Sequence, residues 1–199
     1  MNPLDELGRL IAIHKTADRL FDHVEHVPAS LTPEPYRQLL VHDHHMTLAM
    51  EDFHGHAVQV HVVDRHFQDS SYYRTSVLTV PATILGRTAG RAATRFPGER
   101  AVQFGAIRFN FDFVTIEVRE AIVAEHTPLG KVLIDHNVLR HIDLGAILKI
   151  KVGPELAEIF GCDRGAETYG RLATIFCNRR PAVDLLEVSA PLLAGAAKV

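Results

Sequence analysis

The sequence predicts an α+β protein in which an antiparallel β-sheet carries helices packed against it. Three observations lead there. Strand-like runs outnumber helical ones, most of them follow one another directly along the chain, and the last two are joined by Asn178-Arg179-Arg180-Pro181, a length suited to an antiparallel hairpin. The 199 residues, 47% hydrophobic and 23% charged, suffice for one globular domain with a sizeable core. Residues 1–30 are expected to form an N-terminal helical extension and residues 31–199 the domain.

Each element has its own signal. Between Pro3 and Val27 the apolar residues Leu7, Leu10, Ile11, Ile13, Leu20, Phe21 and Val24 are spaced closer to a helical period than to alternation. Pro28, Pro33 and Pro35 interrupt the chain, and Tyr36 to Val41 reads as a short helix or turn carrying Leu39 and Leu40 inward. Val58, Val60 and Val62 alternate with Gln59 and His61 as in a half-buried strand, which puts His61 on the opposite face. Further strands are expected over Tyr73 to Val80 and Ala101 to Phe113, separated by a loop or insertion from Gly86 to Gly98. Ile116 to Glu125 reads as a helix, and Thr127-Pro128-Leu129-Gly130 as the start of another, with Thr127 as cap and Pro128 in the first turn. Leu139 to Val152 is strand-like, Gly153-Pro154 opens a short helix that Gly161 closes, and Thr168 to Cys177 with Ala182 to Ser189 form the hairpin strands.

Composition excludes several function classes. A formal charge of −3, from 21 basic and 24 acidic residues, provides no field for a phosphate backbone. The uncharged stretch Thr75 to Gly86 has 12 residues and contains Pro81, whereas a spanning helix needs about 20 apolar residues. Asp5 and Glu6 stand where a secretory signal would be basic, and only Cys162 and Cys177 occur, so a cytoplasmic protein with free thiols is expected.

Of 13 histidines, seven lie between His42 and His66, among them His44, His45, His54, His56 and His61. They show neither an HExxH pattern nor a Cys pair, so solvated or locally hydrogen-bonded histidines are expected in preference to a metal site. Cys177, inside a predicted strand, reads as a small core residue. Nucleophile-elbow and glycine-rich phosphate motifs are absent from the sequence. Arg74 stands in the neutral run YYRTSVLTV, where its guanidinium fork can clamp a carboxylate or simply face solvent from an edge strand. Glu187, in VDLLEVSAP, shares a face with Val183, Leu185 and Ser189 and is either exposed or held in a pocket. Arg108 and Arg171 are further cations in strand-like sequence, and several arginines with a Glu on one sheet can surround an anion.

Four stretches, in order, resemble the chorismate pyruvate-lyase family in its divergent, chorismate lyase-like branch. They are His42-Asp43-His44-His45-Met46-Thr47 with Leu48 to Phe53, Tyr72 to Leu78, Thr127 to Leu133, and Tyr169-Gly170-Arg171 followed by Leu185 to Leu192. The match spans roughly residues 36 to 193. The resemblance implies an antiparallel sheet with flanking helices around a buried ligand, a fold shared with effector-binding domains of some bacterial transcription regulators. It further implies elimination of pyruvate from chorismate to give 4-hydroxybenzoate, with neither metal nor organic cofactor. By motif position Arg74 would bind the ring carboxylate, main-chain amides around Met46 and Leu129 would assist, and Glu187 would face the ring oxygen. Thr47 and Arg171 would complete the substrate contacts. The partner expected is thus a small anionic molecule; the alternative is a non-catalytic binder or sensor of an aromatic carboxylate.

Overall fold

The computed structural model describes residues 2–12, 14, 17–84, 88 and 95–193. Seven strands, β1 (Phe21–Val27), β2 (Gln59–Gln68), β3 (Ser71–Pro81), β4 (Glu99–Asn110), β5 (Arg140–Val152), β6 (Glu167–Cys177) and β7 (Arg180–Ser189), make one sheet. Their order is β1-β5-β6-β7-β4-β3-β2, and every neighbouring pair is antiparallel. The helices are α1 (Pro3–Ile11), α2 (Ala17–Leu20), α3 (Tyr36–Leu40), α4 (Met46–His54), α5 (Ile116–Ala124), α6 (Leu129–Asp135) and α7 (Pro154–Phe160). The expected α+β architecture is the one the chain adopts.

Strand alternation sends the apolar residues of the central strands to both faces, and each face is covered. On one, Leu7, Leu10, Leu20, Leu156 and Phe160 of α1, α2 and α7 pack on Phe104, Leu148, Leu186 and Val188. On the other, two separate clusters form. Leu39, Leu40, Met46, Met50 and Phe53 of α3 and α4 lie on Leu78 and Ile147. Val118, Ile122, Leu129 and Leu133 of α5 and α6 lie on Ile107, Ile175 and Leu185.

Local chemistry sets the boundaries. Gly161, at φ +61°, ends α7 in the left-handed conformation that glycine adopts without a Cβ clash. Asn178 and Arg179, at φ +52° and +65°, close the β6–β7 hairpin as a two-residue turn of the I′ kind. The connection is thus shorter than the four residues expected, because Arg180 and Pro181 already belong to β7.

Other departures have similar local causes. Residues 21–27, expected to continue a helix, form β1, because pairing with β5 supplies the backbone partners that isolated periodicity cannot reveal. The strand expected to reach Phe113 stops at Asn110, whose side chain accepts from the Asp112 amide at 2.9 Å and turns the chain into a 3₁₀ segment, Phe111–Phe113. The cap of α6 is Pro128, not Thr127, with no side-chain capping bond. Within the expected Gly86 to Gly98 loop, residues 86, 87 and 89–94 lie outside those described.

Candidate functional site

Where the two clusters on the α3–α6 face meet, the sheet carries polar residues and a cavity of about 80 Å³ opens above it. Register explains the alignment. Ser76 of β3, Gly105 of β4, Glu187 of β7 and Arg171 of β6 are successive cross-strand partners, so they form one row across four strands. Arg74 stands two residues to one side, opposite Ile107, and Gln103 two residues to the other, opposite Leu78. Rows on one face lie about 7 Å apart. Met46 and Thr47 at the start of α4, and Leu129 at the start of α6, roof the cavity.

Five residues singled out from sequence therefore line one space: Arg74, Glu187, Met46, Thr47 and Leu129. Arg74 is not on an edge strand. It is only 6% exposed on the interior strand β3, and its Nε has no hydrogen-bond partner. Burial lowers its pKa from the ordinary value, opposed by Tyr72 and Glu125. Glu125 is itself engaged, accepting from the Tyr72 phenol at 2.5 Å and from Arg65. Burial and that bond push the Tyr72 phenol up to about 12.

Arg171 sits differently. It is 1% exposed, outside the cavity lining, and engaged at every nitrogen: its Nε donates to Glu187 Oε2 at 2.7 Å, while its terminal nitrogens reach the carbonyls of Leu40, His42 and His44 at 3.4, 2.8 and 3.1 Å. It thereby ties the sheet to the segment that leads into α4. Arg108 does not join the group, because it faces away from Arg74 and pairs with Asp184 at 3.4 Å.

The histidines serve several local roles. His42 Nε2 lies 2.7 Å from the Leu39 carbonyl, and its Nδ1 lies 3.1 Å from the His44 amide and 3.2 Å from Arg171. Only the neutral tautomer protonated at Nε2 satisfies all three. Burial, reinforced by Arg171, brings its pKa down to about 4. His45 accepts from Arg140 Nε at 2.9 Å and packs over Gly130, where a Cβ would come within 2.5 Å of its ring. It lines both the cavity and an outer groove of about 720 Å³. His61 joins Glu99 at 2.7 Å on the far side of β2 and β3. Among the described residues no group of three or more His, Cys, Asp or Glu is arranged to hold a metal ion. Cys177 is buried in the α5–α6 cluster, where burial pushes its thiol up to about 11.

Sequence reasoning missed Gln103 and Gly105, which also line the cavity. The signal was present as a lone amide and a glycine in the otherwise apolar run Ala101-Val102-Gln103-Phe104-Gly105-Ala106-Ile107.

No protein-family model matches the chain, and no curated protein matches it. Several solved structures are similar. One is the ligand-binding domain of a protein assigned to the GntR family of transcriptional regulators from Bordetella bronchiseptica, at TM-score 0.46 and 10% identity over 69% of this chain and 86% of that one. Another is the C-terminal domain of the histidine utilization repressor of Pseudomonas syringae, at TM-score 0.43 and 8% identity over 71% and 95%. A third is the C-terminal domain of YurK from Bacillus subtilis, at TM-score 0.38 and 13% identity over 65% and 88%. At these scores the similarity carries no statement about ligand or activity.

Proposed function

We propose that the protein binds a small organic carboxylate in the cavity between α4, α6 and the sheet, with Arg74 as the partner of the anion. The observation that carries this reading is the state of Arg74: buried, lining the cavity, and with Nε unpartnered. A desolvated cation without a dedicated counterion is costly, and a carboxylate meeting the guanidinium in two places removes that cost. The first residues of α4 also line the cavity, and this nine-residue helix has no side-chain cap, so its leading amides favour negative charge there.

The sequence resemblance adds chemistry to this reading. With Glu187 lining the same cavity, the activity is elimination of pyruvate from chorismate or a close analogue, leaving 4-hydroxybenzoate, in a cytoplasmic enzyme that works by electrostatic positioning. A second reading, a non-catalytic binder or sensor, is favoured by the Glu187–Arg171 bond of 2.7 Å, which fixes the carboxylate as a placed acceptor.

The test is calorimetric titration of 4-hydroxybenzoate into wild type, Arg74→Ala and Arg74→Lys, with pyruvate release from chorismate assayed in parallel. Arg74→Ala is expected to weaken binding by about 2 to 5 kcal/mol, and Arg74→Lys by less, since Lys keeps the charge and loses the fork. Equal affinity in wild type and Arg74→Ala would place the ligand elsewhere. Binding without pyruvate from chorismate selects the sensor.

A further inference from the structure

Gln103 is 4% exposed, lines the same cavity as Arg74, and its Oε1 has no hydrogen-bond partner. The cavity thus holds two unmet groups of opposite kind, a donor at Arg74 and an acceptor at Gln103, on rows two apart. A buried polar group left without a partner is destabilising, and a ligand that supplies the partner removes that cost.

Between those rows lies Gly105, whose backbone does not require glycine. It sits within β4, and a Cβ added there would stand 3.4 Å from Ser76 Oγ, 3.8 Å from Gln103 Nε2 and 3.8 Å from the Leu186 carbonyl, all ordinary contacts. Gly170 differs, because a Cβ there would come within 2.8 Å of the Glu187 carbonyl. Glycine inside a strand is destabilising relative to alanine, because it loses more backbone freedom on folding. What Gly105 provides in return is empty volume on the cavity floor.

We propose that the planar body of the ligand lies over Gly105 and that Gln103 Oε1 accepts a hydrogen bond from a hydroxyl or amino group on it, remote from the carboxylate. The ligand class is a flat carboxylate with a distal donor. This rests on the carboxylate-binding reading above, in which Arg74 fixes the anion; Gln103, in place of Glu187, whose carboxylate Arg171 already holds, then distinguishes among carboxylates by what they carry at the other end.

The experiment compares benzoate, 3-hydroxybenzoate and 4-hydroxybenzoate by calorimetry on wild type, Gln103→Leu, Gln103→Met and Gly105→Ala, with thermal unfolding of each. Wild type is expected to prefer one hydroxybenzoate over benzoate by about tenfold to a hundredfold. In Gln103→Leu that ratio collapses to about twofold or less, and Gln103→Met repeats the result should the leucine variant fail to fold. Gly105→Ala is expected to unfold at or above the wild-type temperature while binding every probe at least about tenfold more weakly, the cost of overfilling a packed site. A hydroxybenzoate preference that survives in the folded Gln103 variants, or undiminished binding by Gly105→Ala, overturns the inference. Wild type binding all three equally, in an Arg74-dependent way, overturns it and leaves the carboxylate reading standing. Wild type binding none overturns both.

Discussion

Arg74 and Arg171 stand in similar sequence surroundings, yet one has a nitrogen without a partner and the other has every nitrogen engaged. The difference comes from registry. Arg171 lies directly opposite Glu187 on the neighbouring strand, whereas Arg74 lies opposite Ile107, and no local pattern in the chain announces which strands will be neighbours. The residue types at the site were legible in the sequence; their division between the cavity lining and internal hydrogen bonding was not. Gln103 and Gly105 escaped because a polar residue in an apolar strand becomes informative only when its face is known. The division has a measurable consequence. Arg171→Met leaves Glu187 without its partner and three carbonyls without their donor, so it is expected to destabilise the fold by roughly 3–5 kcal/mol. Chemical denaturation of the variant checks this. A loss below about 1 kcal/mol would show that these bonds do not hold the segment before α4.

Elements are legible in the sequence wherever their endings are chemical. Gly153-Pro154 and Gly161 bracket α7 as expected, whereas β1 was unreadable because its seven residues are specified by β5, over a hundred positions away. The hairpin between β6 and β7 offers a direct test of turn chemistry. Arg179 is exposed and held at φ +65°, a conformation that costs an L-residue about 1–2 kcal/mol and glycine nothing. Arg179→Gly, which creates the favoured Asn-Gly turn, is expected to raise the unfolding temperature by about 2–4 °C, as read by thermal melting. No rise would mean that the Arg179 side chain returns what its backbone loses. The segment before α4 responds to pH instead. His42 has an ordinary pKa of 6.5 and a folded value of about 4. Above 6.5 it is neutral in both states and stability is unaffected; between 6.5 and 4 the unfolded chain takes up a proton that the folded chain refuses, so stability falls as pH falls. His42→Gln is expected to flatten the dependence of the urea midpoint on pH in that window. An unchanged slope would assign the acid sensitivity elsewhere.

Across the described residues, one apolar cluster covers the sheet under α1, α2 and α7, while on its other face a polar row crosses four strands between two apolar clusters. The direct succession of strand-like runs and the short connection between the last two pointed to an antiparallel architecture; the split of one face into two clusters required the folded register. Among the described residues no helix is long and apolar enough to cross a membrane. The space left between the clusters is about 80 Å³, roughly half the ~150 Å³ that holds a benzene molecule in an apolar cavity. An aromatic ring needs roughly twice that space, so α4, α6 or the segment joining them to the sheet is expected to shift as one enters. The resulting prediction is a matter of time, not affinity. In stopped-flow mixing, the observed association rate should rise with ligand concentration and then level off at the first-order rate of opening. A linear rise throughout would mean that the cavity widens without a separate step. Residence is governed by the same motion run backwards: a bound molecule leaves no faster than its cover lifts.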